Sequence, residues 1–383
     1  MNLTKSRGAF VALVAAAGLS LSACGDDEKA STDGGGDSAG ACKPSTIAYL
    51  GPKTGDAANL GLNIVGGVKV AVDEFNKANP DCTITLSEFD SQGDPEKATP
   101  LATKIIGDDA IVGVVGPAFS GESDATGAAF SEAGLVTISA SATNPDLTKN
   151  GWKTFHRVLG NDATQAPAAA KYIKDTLAAK KVFVVDDASE YGKGIADGVK
   201  KELGSLVGGT DTVQQKQTDF GPTVTKIKAS GADALWFGGY YAEAGLLAKQ
   251  LRAGGWKGFF VSGDGSNDPG FVEAAGEKGA DDARLTCPCG PAPDDFAVKY
   301  KATNNDKEPG TYSAEGYDAT KILLDGIAAG KTDRAGLLEW TNSYDEPGIT
   351  KQLKFDDTGE VAEVVIYAYK VEGGKIVPDT EIK

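Results

Sequence analysis

Ser120 is the first residue whose type and setting suit chemistry. It follows the β-rich run Ile111–Val115 and starts a helix-like run, so its hydroxyl and the free N–H groups of a helix start can hold a carboxylate, aided by the helix dipole. A plain N-cap, worth about 1 kcal/mol to the helix, accounts for the same serine and is the simpler reading of the spacing. Ser139 to Thr143, behind the next strand-like run, repeats the arrangement. Thr143 offers a hydroxyl and the carbonyls around it can accept from an ammonium, although turn chemistry alone also explains such residues.

Other chemistries meet obstacles. Gly113-Val114-Val115-Gly116-Pro117 lacks the G-x-G-x-x-G spacing and no G-x-x-x-x-G-K-[ST] occurs, which leaves nucleotide binding unsupported. His156 is the one histidine, so a metalloprotease helix is excluded and a serine triad would have to use this single imidazole; in a strand-like run it reads as structural. Asp264-Gly265-Ser266-Asn267-Asp268 begins like a calcium loop, but Pro269 and Ala275 occupy its sixth and twelfth positions. Cys287-Pro288-Cys289 can close a small-ring disulfide or lend metal ligands, and zinc would need donors the chain lacks. No metal and no cofactor is expected. The net charge of -16 repels nucleic acid and anionic lipid headgroups, so no nucleic acid partner is expected either.

The elements that must position these residues alternate between short β-rich and longer amphipathic runs from Thr46 onward, the mark of parallel sheets with crossover helices. Strands are expected at Ile47–Leu50, Thr83–Phe89, Ile111–Val115, Val136–Ser139, Val182–Val185, Ala234–Phe237 and Phe259–Val261. Helices are expected at Leu60–Asn79, from Pro95, and at Ser120–Ala133, Gln165–Ala179, Gly192–Leu203, Glu243–Ala253, Ala314–Ala329 and Arg334–Trp340, with a strand-rich tail at Val361–Val371. A chain of 383 residues is long for one domain, and the pattern repeats, so the expected fold class is α/β with two doubly wound lobes. The 50 glycines point to many tight turns.

The N-terminus reads as an export address. Lys5 and Arg7 precede an apolar run, Ala9–Leu21, too short to span a bilayer comfortably. Leu21-Ser22-Ala23-Cys24-Gly25 resembles the lipobox of bacterial lipoproteins, which would make residues 1–23 a signal peptide and Cys24 the lipidated N-terminus. The Gly, Ser, Asp and Ala stretch that follows, within residues 24–42, reads as a flexible tether. The chain would then sit outside the cytoplasm, lipid-anchored at the outer face of the bacterial cytoplasmic membrane. Four cysteines remain, an even number that agrees with an oxidising compartment. If the first two strands are parallel neighbours, their starts lie side by side and Cys42 with Cys82 is the preferred disulfide.

Several stretches in order are specific enough to carry a resemblance. Gly51-Pro52-Lys53-Thr54-Gly55, Val115-Gly116-Pro117-Ala118-Phe119-Ser120, Ile138-Ser139-Ala140-Ser141-Ala142-Thr143-Asn144-Pro145, Gln165-Ala166-Pro167, Glu190-Tyr191-Gly192-Lys193-Gly194 and Gly238-Gly239-Tyr240-Tyr241-Ala242-Glu243 closely resemble the leucine/isoleucine/valine-binding proteins of bacterial ABC importers. The resemblance runs from about Ile47 to about Glu360. It implies two α/β lobes joined by three crossovers near Gly160, Cys289 and Thr358, with residues 43–160 plus 290–358 in lobe 1 and 161–289 plus 359–383 in lobe 2. It implies a ligand carboxylate held at Ser120 and Thr143, an ammonium at the Ser141 carbonyl and Asp264, and closure by Tyr191 and Tyr240. Two departures stand out: Asp264 replaces a usual glutamate, and Leu60 stands where the family often has an aromatic residue, while Phe119 adds bulk beside Ser120.

The function implied is capture of a branched-chain amino acid, with no catalysis, and delivery to an ABC importer permease by a monomer. A ligand-sensing module of the same fold for another small amino acid, amide or carboxylate is the alternative, and a secreted hydrolase built on one histidine is a third.

Overall fold

The computed structural model describes residues 42–383; the expected signal peptide, Cys24 and nearly all of the tether lie outside them. The first β/α series runs β1 (Ser45–Gly51), α1 (Ala58–Ala78), β2 (Ile84–Asp90), α2 (Pro95–Ile106), β3 (Ile111–Val115), α3 (Ser120–Glu132), β4 (Thr137–Ser139) and β5 (Phe155–Arg157). The second runs α4 (Asp162–Lys171), β6 (Val182–Asp186), α5 (Glu190–Leu203), β7 (Val207–Thr212), α6 (Gly221–Ser230), β8 (Ala234–Gly238), α7 (Tyr241–Ala253), β9 (Phe259–Ser262), α8 (Pro269–Ala275), α9 (Glu277–Ala280) and β10 (Arg284–Cys287). Then follow α10 (Asp294–Thr303), α11 (Ser313–Ala328), α12 (Arg334–Asn342), a small hairpin β11 (Asp345–Pro347) and β12 (Gln352–Lys354), and a final hairpin β13 (Ile366–Glu372) and β14 (Lys375–Ile382).

These elements build two lobes. One holds a parallel sheet of order β2-β1-β3-β4-β5, and the other a sheet of order β14-β13-β10-β9-β8-β6-β7 in which only the last hairpin runs antiparallel. The central parallel strands are buried on both faces, which is why runs such as Ile111–Val115 and Ala234–Gly238 are continuously apolar or small rather than alternating. α11 returns to the first lobe by packing on α1. The crossing is close because Gly67 and Gly316 lack side chains: a Cβ on Gly67 would stand 1.9 Å from the Ser313 carbonyl oxygen, and one on Gly316 2.5 Å from that of Ile64. Cys42 is bonded to Cys82 across the starts of β1 and β2, with Cα atoms 5.7 Å apart, and Cys287 to Cys289, at 5.0 Å.

Two local expectations are corrected. The helix expected to reach Ala179 leaves α geometry after Lys171 and closes in one wider π turn, Tyr172–Thr176. The strand-rich tail begins five residues later than expected, at Ile366, and turns through Gly373-Gly374, both at positive φ, into β14. Among the described residues no helix is long and apolar enough to cross a membrane.

Both sheets reverse their strand order once, between β1 and β3 in the first lobe and between β6 and β8 in the second. A reversal leaves a crevice at the carboxyl ends of the strands, because the helices after the two flanking strands cross to opposite faces. The two crevices face one another, and the loops that leave them carry Phe119, Ser120, Tyr191 and Tyr240.

Candidate functional site

Between the lobes lies a small, nearly closed cavity of about 10 Å³. Leu60, Phe119, Ser120, Ser141, Tyr191, Tyr240 and Asp264, all expected at the site, line it together with Gly265 and Tyr312, which were not. Thr143 is fully buried in the same loop as Ser141 and is not among the lining residues.

Ser120 is the first residue inside α3, not its cap. The capping duty falls to Glu122, whose carboxylate reaches back to accept from the Phe119 N–H at 2.8 Å. The Ser120 hydroxyl is therefore released from capping; it accepts from the Asn144 N–H at 3.2 Å, and its own proton remains to be donated. The Ser141 hydroxyl donates its proton to the Ala118 carbonyl, so toward a ligand this side chain can only accept.

The opposite wall is acidic. Asp264 is buried, and its carboxylate accepts from the Tyr191 hydroxyl at 3.0 Å and from the Tyr312 hydroxyl. Burial pushes its pKa up, and the tyrosine hydroxyls oppose that shift. Asp162, at the start of α4, is a second buried acid beside it; burial first and the Asp264 charge second push its carboxyl well above the ordinary range. The Thr143 hydroxyl lies against the Asp162 carboxyl and opposes its shift, while the Gln165 carbonyl oxygen has no hydrogen-bond partner within the protein. A buried acid pair with an unpaired acceptor beside it attracts a cation with N–H donors, which is what a ligand ammonium supplies. The cavity is thus lined by the Ser120 hydroxyl at the start of α3, by the Asp264 carboxyl and by the apolar Leu60 and Phe119, a set chemically suited to a small zwitterion with an apolar side chain.

Glu122 itself sits fully buried beneath this wall, its carboxyl pushed up to about 7 by burial. An acid whose pKa rises on folding weighs least on stability below the unfolded value, near 4.5, and progressively more as pH climbs from there to about 7. Glu122→Gln, which preserves the acceptor for Phe119, is expected to raise the melting temperature relative to wild type at pH 8 and to give little or no gain at pH 5. Equal effects at both pH values in thermal unfolding would contradict a raised pKa at the buried Glu122.

The lobes touch around the cavity. Asn59 donates to Asp268 at 2.9 Å, Asn144 to the Glu190 carboxylate at 3.0 Å, and Tyr312, from the loop before α11, reaches Asp264 across the gap. His156 lies away from this cavity in β5, its ring nitrogens 2.9 Å from the Asn342 side-chain oxygen and 3.2 Å from the Thr154 carbonyl, a structural engagement. Among the described residues no group of three or more His, Cys, Asp or Glu side chains is placed to hold a metal ion.

Besides Gly265, three residues at or behind the cavity were not expected from the sequence. Tyr312 and Asp162 come from loops outside the quoted motifs, and Arg157, fully buried behind the Ala142–Asn144 loop, lies in β5 next to the histidine that drew attention. An arginine in a strand otherwise suited to burial was the available signal for the last.

Known proteins agree with this architecture. The chain matches the family model described as periplasmic binding protein over residues 44–375. It is 33% identical over 349 residues to the Leu/Ile/Val-binding protein BraC3 of Rhizobium johnstonii, covering 87% of this chain and 93% of that one. It is 30% identical, over 88% of this chain and 92% of the other, to the leucine-, isoleucine-, valine-, threonine-, and alanine-binding protein of Pseudomonas aeruginosa. Among solved structures, the branched-chain amino acid transporter substrate binding protein LivJ from Streptococcus pneumoniae, in complex with isoleucine, superposes with a TM-score of 0.81 at 28% identity, covering 88% of this chain and all of LivJ. With the match spanning nearly all of the described residues and both lobes, this chain belongs to the periplasmic binding protein family.

Proposed function

We propose that this chain is an extracytoplasmic solute-binding protein that captures leucine, isoleucine or valine and hands it to an ABC importer, held at the membrane by a lipid on Cys24. The observation that carries the reading is the buried Asp264, held by tyrosine hydroxyls from both lobes and sharing with Ser120 a cavity that Leu60 and Phe119 also line. The names of the relatives support the branched-chain class, and the Pseudomonas aeruginosa protein, named also for threonine and alanine, extends it toward smaller side chains. Nothing in this function breaks a bond. The lobes swing about the crossovers near Gly160, Cys289 and Thr358, and ligand stabilises the closed form because only there do Ser120 and Asp264 both reach it.

The test is thermal unfolding of residues 42–383 with each of the twenty amino acids. Leucine, isoleucine or valine at a hundred times its Kd is expected to add about 2.7 kcal/mol of stability, read as a melting shift of several degrees. A shift with none of the twenty, or one confined to dicarboxylates or amides, would refute the branched-chain assignment.

A further inference from the structure

The inner cavity is not alone between the lobes. An outer chamber of about 520 Å³, open to solvent, lies beyond it, and Phe119 and Tyr240 line both. Their rings pack with centroids 4.6 Å apart and stand as the partition between the two spaces. On its other side Phe119 rests on bare backbone: Gly93 is at φ +71, and a Cβ there would be 3.1 Å from the ring. No side chain at that position can fill the space if the ring is cut back. Tyr240 is backed in turn by Tyr191, at 5.3 Å between centroids, while Phe119 is flanked by Tyr240 on one side and a glycine on the other.

The polar wall fixes which way a zwitterion faces. With its carboxylate at Ser120 and its ammonium at Asp264, the side chain is left to meet Leu60 and the surrounding rings, Phe119 and Tyr240 among them. We propose that Phe119 determines specificity by setting the longest side chain the inner cavity accepts, and that the outer chamber is a latent subsite for longer side chains once Phe119 is shortened. This rests on the zwitterion reading above and names what limits it. The chamber also has a preference of its own: its charged lining is Asp56, Asp94, Glu96 and Glu243 against Lys97 and Lys216, an excess of acids that suits a cationic tip and disfavours an anionic one.

Wild type, Phe119→Ala and Phe119→Leu would be titrated with leucine, phenylalanine, arginine and glutamate by calorimetry, after their melting temperatures are recorded. Wild type is expected to bind leucine and to reject the other three. Phe119→Ala is expected to bind leucine roughly tenfold more weakly, the order of one or two lost methylene contacts, and to gain at least tenfold for phenylalanine and arginine but not for glutamate. Phe119→Leu, which keeps an apolar plug and so protects folding, is expected to gain at least threefold for phenylalanine; it decides the matter if the alanine variant does not fold. Wild type binding phenylalanine as tightly as leucine, or folded variants that keep wild-type selectivity, would overturn the partition alone. Gain for glutamate equal to that for arginine would overturn the chamber's charge preference. A wild type that responds to no amino acid sinks the zwitterion reading, and the partition with it.

Discussion

Asp264→Ala is expected to abolish the leucine-dependent rise in melting temperature while leaving the unliganded protein as stable as wild type, or more so. The two halves of this expectation have separate causes. Binding places an ammonium beside a buried carboxylate, and removing one partner of such a charge pair costs about 2–5 kcal/mol, or roughly 30-fold to several-thousand-fold in Kd. Folding without ligand buries that same carboxylate against its preference, as the upward push on its pKa records, so alanine relieves a cost in the empty protein. The Tyr191 and Tyr312 hydroxyls lose an acceptor, which offsets part of the relief. Asp264→Asn keeps an acceptor for the tyrosines and drops only the charge, so its loss of affinity isolates the ionic part. Calorimetric titration beside thermal unfolding of the empty variants reads both quantities. An alanine variant that binds leucine within threefold of wild type would remove Asp264 from the ammonium site.

Arg157→Ala is expected to cost about 3–5 kcal/mol of folding stability, the largest effect on stability expected of any single change near the cavity. Its guanidinium is fully buried and donates to the Ala142 carbonyl at 2.7 Å, the Asn144 carbonyl at 3.0 Å and Glu360 at 2.8 Å. Glu360 also accepts from Asn161 at 2.9 Å and Thr148 at 2.8 Å, and the Arg157 N–H donates to the Gly359 carbonyl at 3.1 Å. One side chain thus ties the loop carrying Thr143 to the segment where the chain passes from β12 toward β13. Removing it strands a carboxylate and two carbonyls that water reaches poorly. Arg157→Lys is expected to rescue little, because a single ammonium cannot span acceptors arranged for a planar fork. Urea unfolding measures the loss, and the leucine-dependent melting shift should shrink with it as the Thr143 loop loosens. A loss below about 1 kcal/mol would show that Glu360 and the loop hold without the arginine.

The repeating elements were legible because their local patterns are strong. β3 occupies the expected Ile111–Val115, and α1, α3, α5, α7 and α11 fall within a few residues of where their apolar spacing and their prolines and glycines put them. β14 was not legible: its residues Lys375–Ile382 are mostly exposed, polar and interrupted by Pro378, as an edge strand tolerates, and nothing local separates such a segment from a loop until β13 pairs with it. β7, with Gly208 and Gly209 at the other edge of the same sheet, escaped for the same reason.

For the site the division is sharper. The sequence by itself determined the alternation of strands and helices, and with it which loops lie at the carboxyl ends of strands and carry Ser120, Ser141, Tyr191, Tyr240 and Asp264. Those properties are local, set by the period of apolar residues and by turn chemistry. Only the tertiary structure decided that Tyr312 donates to Asp264 from 48 residues away, that Asp162 joins Asp264 as a buried acid pair, and that Phe119 meets Tyr240 across the lobes. Pairings of this kind depend on how two crevices face each other after the chain has crossed between sheets, and no spacing along the chain encodes that distance.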